Sequence, residues 1–224
     1  MRGTRICFAG VDWNTGAHVR AITDGGDELS RELLVENGGP LSIGSRVDLG
    51  DTTATPSKPR SEDHLFDTEN LEQLCVLTDD KFLELLGKVS APTVHDGFGP
   101  ALERVTPNKL AVTPGTGSAS LAVITPSKKP VLAINRHGNA QIRLPQPTGS
   151  IYLTVTDYRY YEDDQTTVRK DRVADVAERL DADVPVYITL GLGMPFKKGG
   201  GDQELHWLQV NNLILEDRPV GDAP

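Results

Sequence analysis

Five histidines, two cysteines and 32 carboxylates supply the groups with chemistry in this chain. His18, His64, His95, His137 and His206 form no H-x-x-x-H, no H-E-x-x-H and no Cys/His cluster, so no metal site is expected. Cys7 sits in an apolar strand-like run and Cys75 in a helix-like apolar pattern, so both read as buried small hydrophobes. They make no C-x-x-C pair, and reduced thiols in a cytoplasmic protein are the default reading. No G-x-S-x-G elbow surrounds Ser118. Gly191-Leu192-Gly193-Met194-Pro195-Phe196 follows a strand, but Pro195 and the lack of a following helix exclude a dinucleotide fingerprint. Pro114 to Ser120 resembles a phosphate loop loosely, lacks its lysine, and reads as a hairpin loop. Glu162-Asp163-Asp164 and Ser61-Glu62-Asp63-His64 read as polar loops rather than acid/base pairs. The expectation is a protein without catalysis and without a cofactor.

Bases and aromatic rings offer more. The net charge of −9 argues against sequence-independent coating of DNA. The charge is unevenly spread, however. Residues 1–104 hold 10 bases and 18 acids, whereas residues 105–224 hold 13 and 14. Residues 105–156, 52 in all, contain no acid but do contain Lys109, Lys128, Lys129, Arg136 and Arg143. Tyr152, Tyr158, Tyr160 and Tyr161 follow closely, with Arg159 among them. Basic groups interleaved with aromatic faces suit single-stranded nucleic acid, where guanidinium groups hold phosphates and a ring stacks a base. The plainer alternative is a solvated sheet face, with Tyr152 packed inward and the other tyrosines on the rim. Candidate ligand contacts are His18 and Arg20 on one strand face, then Lys128, Arg136, Arg143, Arg159 and Tyr160.

The elements that must carry these groups are mostly short strands. Arg5 to Val11 and Ala17 to Ile22 flank a turn at Asp12 to Gly16, and Arg46 to Leu49 is another strand. Thr52 to Arg60 reads as an exposed connection, and Ser90 to Pro100 as a turn-rich boundary. Glu69 to Lys88 has helical spacing, divided near Thr78-Asp79, with Thr78 as the cap of the second piece. Further strands are expected at 109–112, 119–125, 130–135, 140–144, 151–156, 184–190 and 206–215. Arg136 to Asn139 is a hairpin tip and Gly199-Gly200-Gly201 a flexible loop. Val173, Val176 and Leu180 mark one short helix by their i, i+3, i+7 spacing.

The chain of 224 residues, 38% hydrophobic, is long enough for a sizeable core or for two small ones. No apolar run of about 18 residues exists, so no membrane span is expected. The N-terminal residues lack the apolar stretch of a secretory leader. Turns recurring roughly every 8–12 residues suggest small Greek-key barrels. The expected fold is mainly β with a minor α+β character: two tandem OB-like barrels with short helical insertions, covering residues 1–100 and 101–224.

The order of the short motifs resembles the dual OB-fold-containing domain family of prokaryotic proteins linked to conflict and phage defence. Ala9-Gly10-Val11-Asp12, then Gly16-Ala17-His18-Val19-Arg20-Ala21, resembles its opening strands. His18 and Ala21 stand where the family has Trp and Pro, and Arg20 is retained. Val47-Asp48-Leu49 with Glu62 to Asp67, Val155-Thr156-Asp157, and Ile188 to Phe196 are similar to its later motifs, with Met194 in place of an acid. The resemblance implies two OB barrels and a recognition role. The expected function is a non-enzymatic module that binds nucleic acid, a nucleotide or a modified base within a defence-type complex, with a larger protein partner encoded nearby. The alternatives are an adaptor docking on an ATPase or nuclease, and an enzyme with an unrecognised site.

Overall fold

The structure is a computed structural model that describes residues 5–26, 29–147, 149–198 and 203–219. The Gly199-Gly200-Gly201 loop lies outside the described residues.

In the first half, β1 (Arg5–Ile6) and β2 (Phe8–Val11) break at Cys7, and β2 returns through the Asp12–Gly16 turn into β3 (His18–Ile22). The short strand β4 (Leu29–Ser30) pairs with β1. Next come β5 (Ser45–Asp48), β6 (Thr53–Ala54), β7 (Asp63–Leu65) and β8 (Glu72–Val76). β2, β3, β7 and β6 form one sheet in that order, while β5 and β8 form a separate ribbon. β6 falls within the expected exposed connection. β8 replaces the first expected helix, because its backbone pairs with β5 from Ser45↔Val76 to Asp48↔Glu72. Cys7 and Cys75 are both exposed, which corrects their reading as buried hydrophobes.

Helix α1 (Asp79–Val89) begins after Thr78, which occupies the cap position without a side-chain hydrogen bond. The expected boundary region contains β9 (Ser90–Ala91) and α2 (Val94–Phe98). The second half contains β10 (Glu103–Thr106), β11 (Lys109–Val112), β12 (Leu121–Ile124), β13 (Val131–Ile134), β14 (Ala140–Gln146) and β15 (Gly149–Thr154). It continues with α3 (Lys170–Asp181), β16 (Val186–Leu192), β17 (Phe196–Lys197) and β18 (Glu204–Leu215). The main sheet runs β10-β11-β18-β16-β12-β9, with β17 against β18, and β13-β14-β15 form a meander. Because β9 pairs with β12, the chain around residues 90–91 lies on the sheet built by the second half.

β12 is buried on both faces, which its sequence Leu-Ala-Val-Ile permits. Ala122 and Ile124 join a large core with the meander, α2 and α3, whereas Val123 meets Phe82 and Leu86 of α1 on the other face. The α3 stripe Val173, Val176 and Leu180 faces the large core as its spacing predicts. The meander joins the main sheet where Tyr152 N–H donates to Asn108 O (3.0 Å) and Thr156 N–H to Val210 O (2.8 Å). The fold is therefore mainly β. Among the described residues the ladders do not close into complete barrels.

Candidate nucleic-acid interface

β14 and β15 alternate cleanly. Ile142, Leu144, Ile151 and Leu153 point into the core, which places Arg143 and its register partner Tyr152 on the outer face. The neighbouring strand β11 contributes Lys109, whose Nζ donates to Tyr152 O. Burial, with Lys198 close enough to add like-charge repulsion, lowers the Lys109 ammonium to about 8. Burial also lowers Lys198. Lys198 Nζ sits 5.1 Å from the Trp207 ring centroid, a cation–π contact. The ring of Trp207 stands 6.3 Å from that of Phe196, and its indole N–H donates to Phe196 O (3.1 Å). Phe196 is 47% exposed, so this aromatic pair is offered to solvent rather than packed away.

One stripe thus passes from Arg143 through Tyr152, Lys109 and Lys198 to Trp207 and Phe196. It supplies fixed cations beside aromatic faces. The energetic cost of crowding Lys109 and Lys198 is the kind that a bound phosphate relieves. At the edge of the stripe Asn108 O accepts from Tyr152 N–H, and Pro107 O accepts from the Arg104 guanidinium.

The residues singled out in the sequence scatter. Arg143 belongs to the stripe. Lys128 is exposed in the β12–β13 connection, near the end of the meander where Arg143 sits opposite Val131. Arg136 is exposed at the far hairpin tip, where its Nε donates to His137. Lys129 is engaged by Asp183 (2.9 Å) and by Asp181 O. Arg159 is held by Asp157 through its Nε and Nη2, and the buried Asp157 carboxylate raises the guanidinium further above its ordinary value. Tyr160 is 0% exposed, and burial raises its phenol. Arg159 and Tyr160 are therefore closed to a phosphate and a base, which corrects their assignment as contacts. They follow a strand end and turn inward with the one-turn helix Tyr158–Tyr160, capped by Asp157.

Arg20 is likewise removed from the ligand set. It is 3% exposed, and its guanidinium donates to Asp63 (2.7 Å) and to Ser120 Oγ (2.8 Å). Glu62 accepts from Ser120 N–H (2.7 Å), Ser120 Oγ (2.9 Å) and Leu121 N–H (3.2 Å). This buried network joins the two halves. His18 remains available, half-buried at the mouth of a separate cleft.

Lys198, Trp207 and Phe196 are not among the contacts expected from the sequence, and of the two sequence-based alternatives for Tyr152, packed inward or open, the structure has the outer-face one. An available signal was the alternation around Trp207, whose neighbours His206 and Leu208 are buried while Trp207 is only partly so. No group of His, Cys, Asp and Glu suited to a metal occurs among the described residues, and no described helix is long and apolar enough to cross a membrane.

Comparison with the curated proteins and with the solved structures finds no match. The model of one family, the dual OB-containing domain, matches residues 1–213. Nearly the whole chain is included, so the strand-rich halves and the stripe fall inside the match, and the chain belongs to the dual OB-containing domain family.

Proposed function

We propose that the protein is a non-catalytic module that binds single-stranded nucleic acid along the outer stripe of its second half. The observation that carries this reading is the contiguity of Arg143, Tyr152, Lys109, Lys198, Trp207 and Phe196 on one face. Cations beside open rings provide backbone contact and sequence-tolerant stacking together. OB-type units commonly present such a face to an oligonucleotide. The two bridges between meander and main sheet support treating the second half as an OB-type unit, and the family match supports a second such unit in the first half.

Fluorescence anisotropy with labelled single-stranded DNA and RNA tests the reading. Binding is expected at low salt and weakens steeply as salt rises. Arg143→Glu and Trp207→Ala each reduce it, the latter by about 1–3 kcal/mol if one base stacks there. No binding at low salt, or wild-type binding by both variants, overturns it.

An adaptor role has a specific observation in its favour. Leu74 and Val76 on β8 are 48% and 53% exposed, in a ribbon where β8 pairs with β5 alone among the described residues. A partner strand could extend that edge. Co-purification with the product of a neighbouring gene, lost on Val76→Lys, tests it. The link to prokaryotic defence rests on the family resemblance, and gene neighbourhood is its test.

A further inference from the structure

We propose that the cleft between the two halves binds a single nucleoside, at a site separate from the outer stripe. The cleft measures about 880 Å³, within the range of about 300–1,000 Å³ usual for small-molecule sites. Its floor lies at β12 and β9, while the stripe uses β11 and β18 toward the other end of the main sheet.

One wall is the turn between β2 and β3. Asp12 Oδ1 accepts from Asn14 N–H (3.2 Å), Thr15 N–H (2.7 Å) and Thr15 Oγ (2.6 Å), and Gly16 N–H donates back to Asp12 O (2.9 Å). These bonds fix the turn before any ligand arrives and lower the Asp12 carboxyl. The turn presents Trp13, 45% exposed, to the cleft, with the Arg46 guanidinium 4.8 Å from the ring centroid. The opposite wall is one face of α1, formed by Lys81, Glu84, Leu85, Lys88 and Val89. The floor consists of small groups: Ala91, Gly97 and Ala122, with Val123 beside them. A Cβ on Gly97 would come within 2.7 Å of the Ala122 Cβ, so α2 sits hard against β12.

An exposed indole above small lining groups favours a planar ring. His18 lines the cleft at the start of β3. Burial lowers its imidazole against the opposing pull of Glu62, so the ring is neutral and offers one donor and one acceptor. With the Asn14 amide it provides the mixed edge that a nucleobase needs. The charged lining is balanced, with Lys81 and Lys88 against Glu84 and Asp96. Lys88 is already paired with Glu84 (2.6 Å). Such a lining gives no excess of cations for a triphosphate, and carboxylates suit the hydroxyls of a ribose.

The chain has two tryptophans, so Trp207→Phe leaves Trp13 as the sole indole reporter. Adenosine, guanosine, cytidine and uridine are titrated separately into that variant, each beside its triphosphate and a short oligonucleotide. At least one nucleoside is expected to change Trp13 emission saturably, and more tightly than its triphosphate. His18→Ala weakens the effect about tenfold, and Ala17→Phe, a change at an exposed position on the cleft mouth, abolishes it. Arg143→Glu leaves it unchanged, which separates this site from stripe binding. Four results overturn the proposal: no response to any nucleoside at millimolar concentration, tighter binding of the triphosphate, a response to the oligonucleotide alone, or wild-type titration by both cleft variants.

Discussion

In the second half one apolar cluster takes in α2, the meander, α3 and the inner faces of β11, β12, β16 and β18. In the first half the buried cluster is Ile6, Ala21, Leu29, Leu34, Leu41 and Phe66, with Tyr158 of the second half packed on its margin. A core that small leaves most of its chain near the surface and stabilises it weakly. The first half makes up the difference by attachment. Arg20, itself paired with Asp63, and Glu62 both reach Ser120, Ser61 Oγ donates to Ser118 O (2.6 Å), and Arg31 lies 5.4 Å from the Tyr158 ring. One half is therefore held mainly by its own apolar core, and the other by polar contacts to its neighbour together with the apolar seat of Phe82 and Leu86 on Val123 and Ile214. The basic stripe is built on the half with the larger core.

The sharpest way to break this arrangement is Arg20→Ala. It leaves Arg60 (2.9 Å) as the remaining ion-pair partner of buried Asp63 among the described residues and takes the donor from Ser120. Removing one partner of a buried pair typically costs about 3–5 kcal/mol. Hydrogen exchange is expected to rise across β2, β3 and β7 while β14 to β18 stay protected. Uniform loss of protection would show instead that the halves unfold as one.

A smaller contrast comes from matched truncations. Leu153→Ala and Leu29→Ala each remove a buried leucine, 0% and 2% exposed, at a cost of about 2–5 kcal/mol. Leu153→Ala should lower the melting temperature of the whole protein. Leu29→Ala should fall at the low end and open the first half alone, as read by limited proteolysis. Tyr160→Phe has the opposite sign. The Tyr160 hydroxyl is buried with no hydrogen-bond partner among the described residues, so its removal should raise stability by about 1 kcal/mol in chemical denaturation.

The sequence was legible where one local period decided the outcome. Val173, Val176 and Leu180 fix α3, and the alternation of β14 and β15 fixes which side of Arg143 faces water. It misled where two periods overlap. Leu71, Leu74 and Cys75 carry helical spacing, yet the segment from Glu72 pairs with β5, and Leu74 and Cys75 both remain exposed. Arg20 was legible as important but not in its role, because its partners lie 43 and 100 positions away. The same distance hid the stripe, since Lys109 and Lys198 come together only when β17 and β18 fold beside β11. The 52-residue acid-free segment marks the half that carries the stripe. It could not show that Tyr160 turns inward and Tyr152 outward.

The smallest expected effect tests the stripe by pH. Burial, with Lys198 nearby, lowers the Lys109 ammonium to about 8. In the unbound protein it loses its proton as pH rises through that value, whereas a bound phosphate favours the charged form. Affinity for single-stranded nucleic acid should therefore fall between about pH 7 and pH 9 at constant ionic strength, and the salt slope should shrink by about one counterion. Lys109→Arg stays charged and flattens the profile. Stability moves the other way. Between about 8 and the ordinary lysine value of 10.5 the folded chain binds fewer protons at Lys109 than the unfolded chain, so this group's contribution to stability rises with pH. Affinity that falls while that contribution rises separates loss of a phosphate contact from loss of the fold. A flat affinity profile in the wild type would remove Lys109 from the interface.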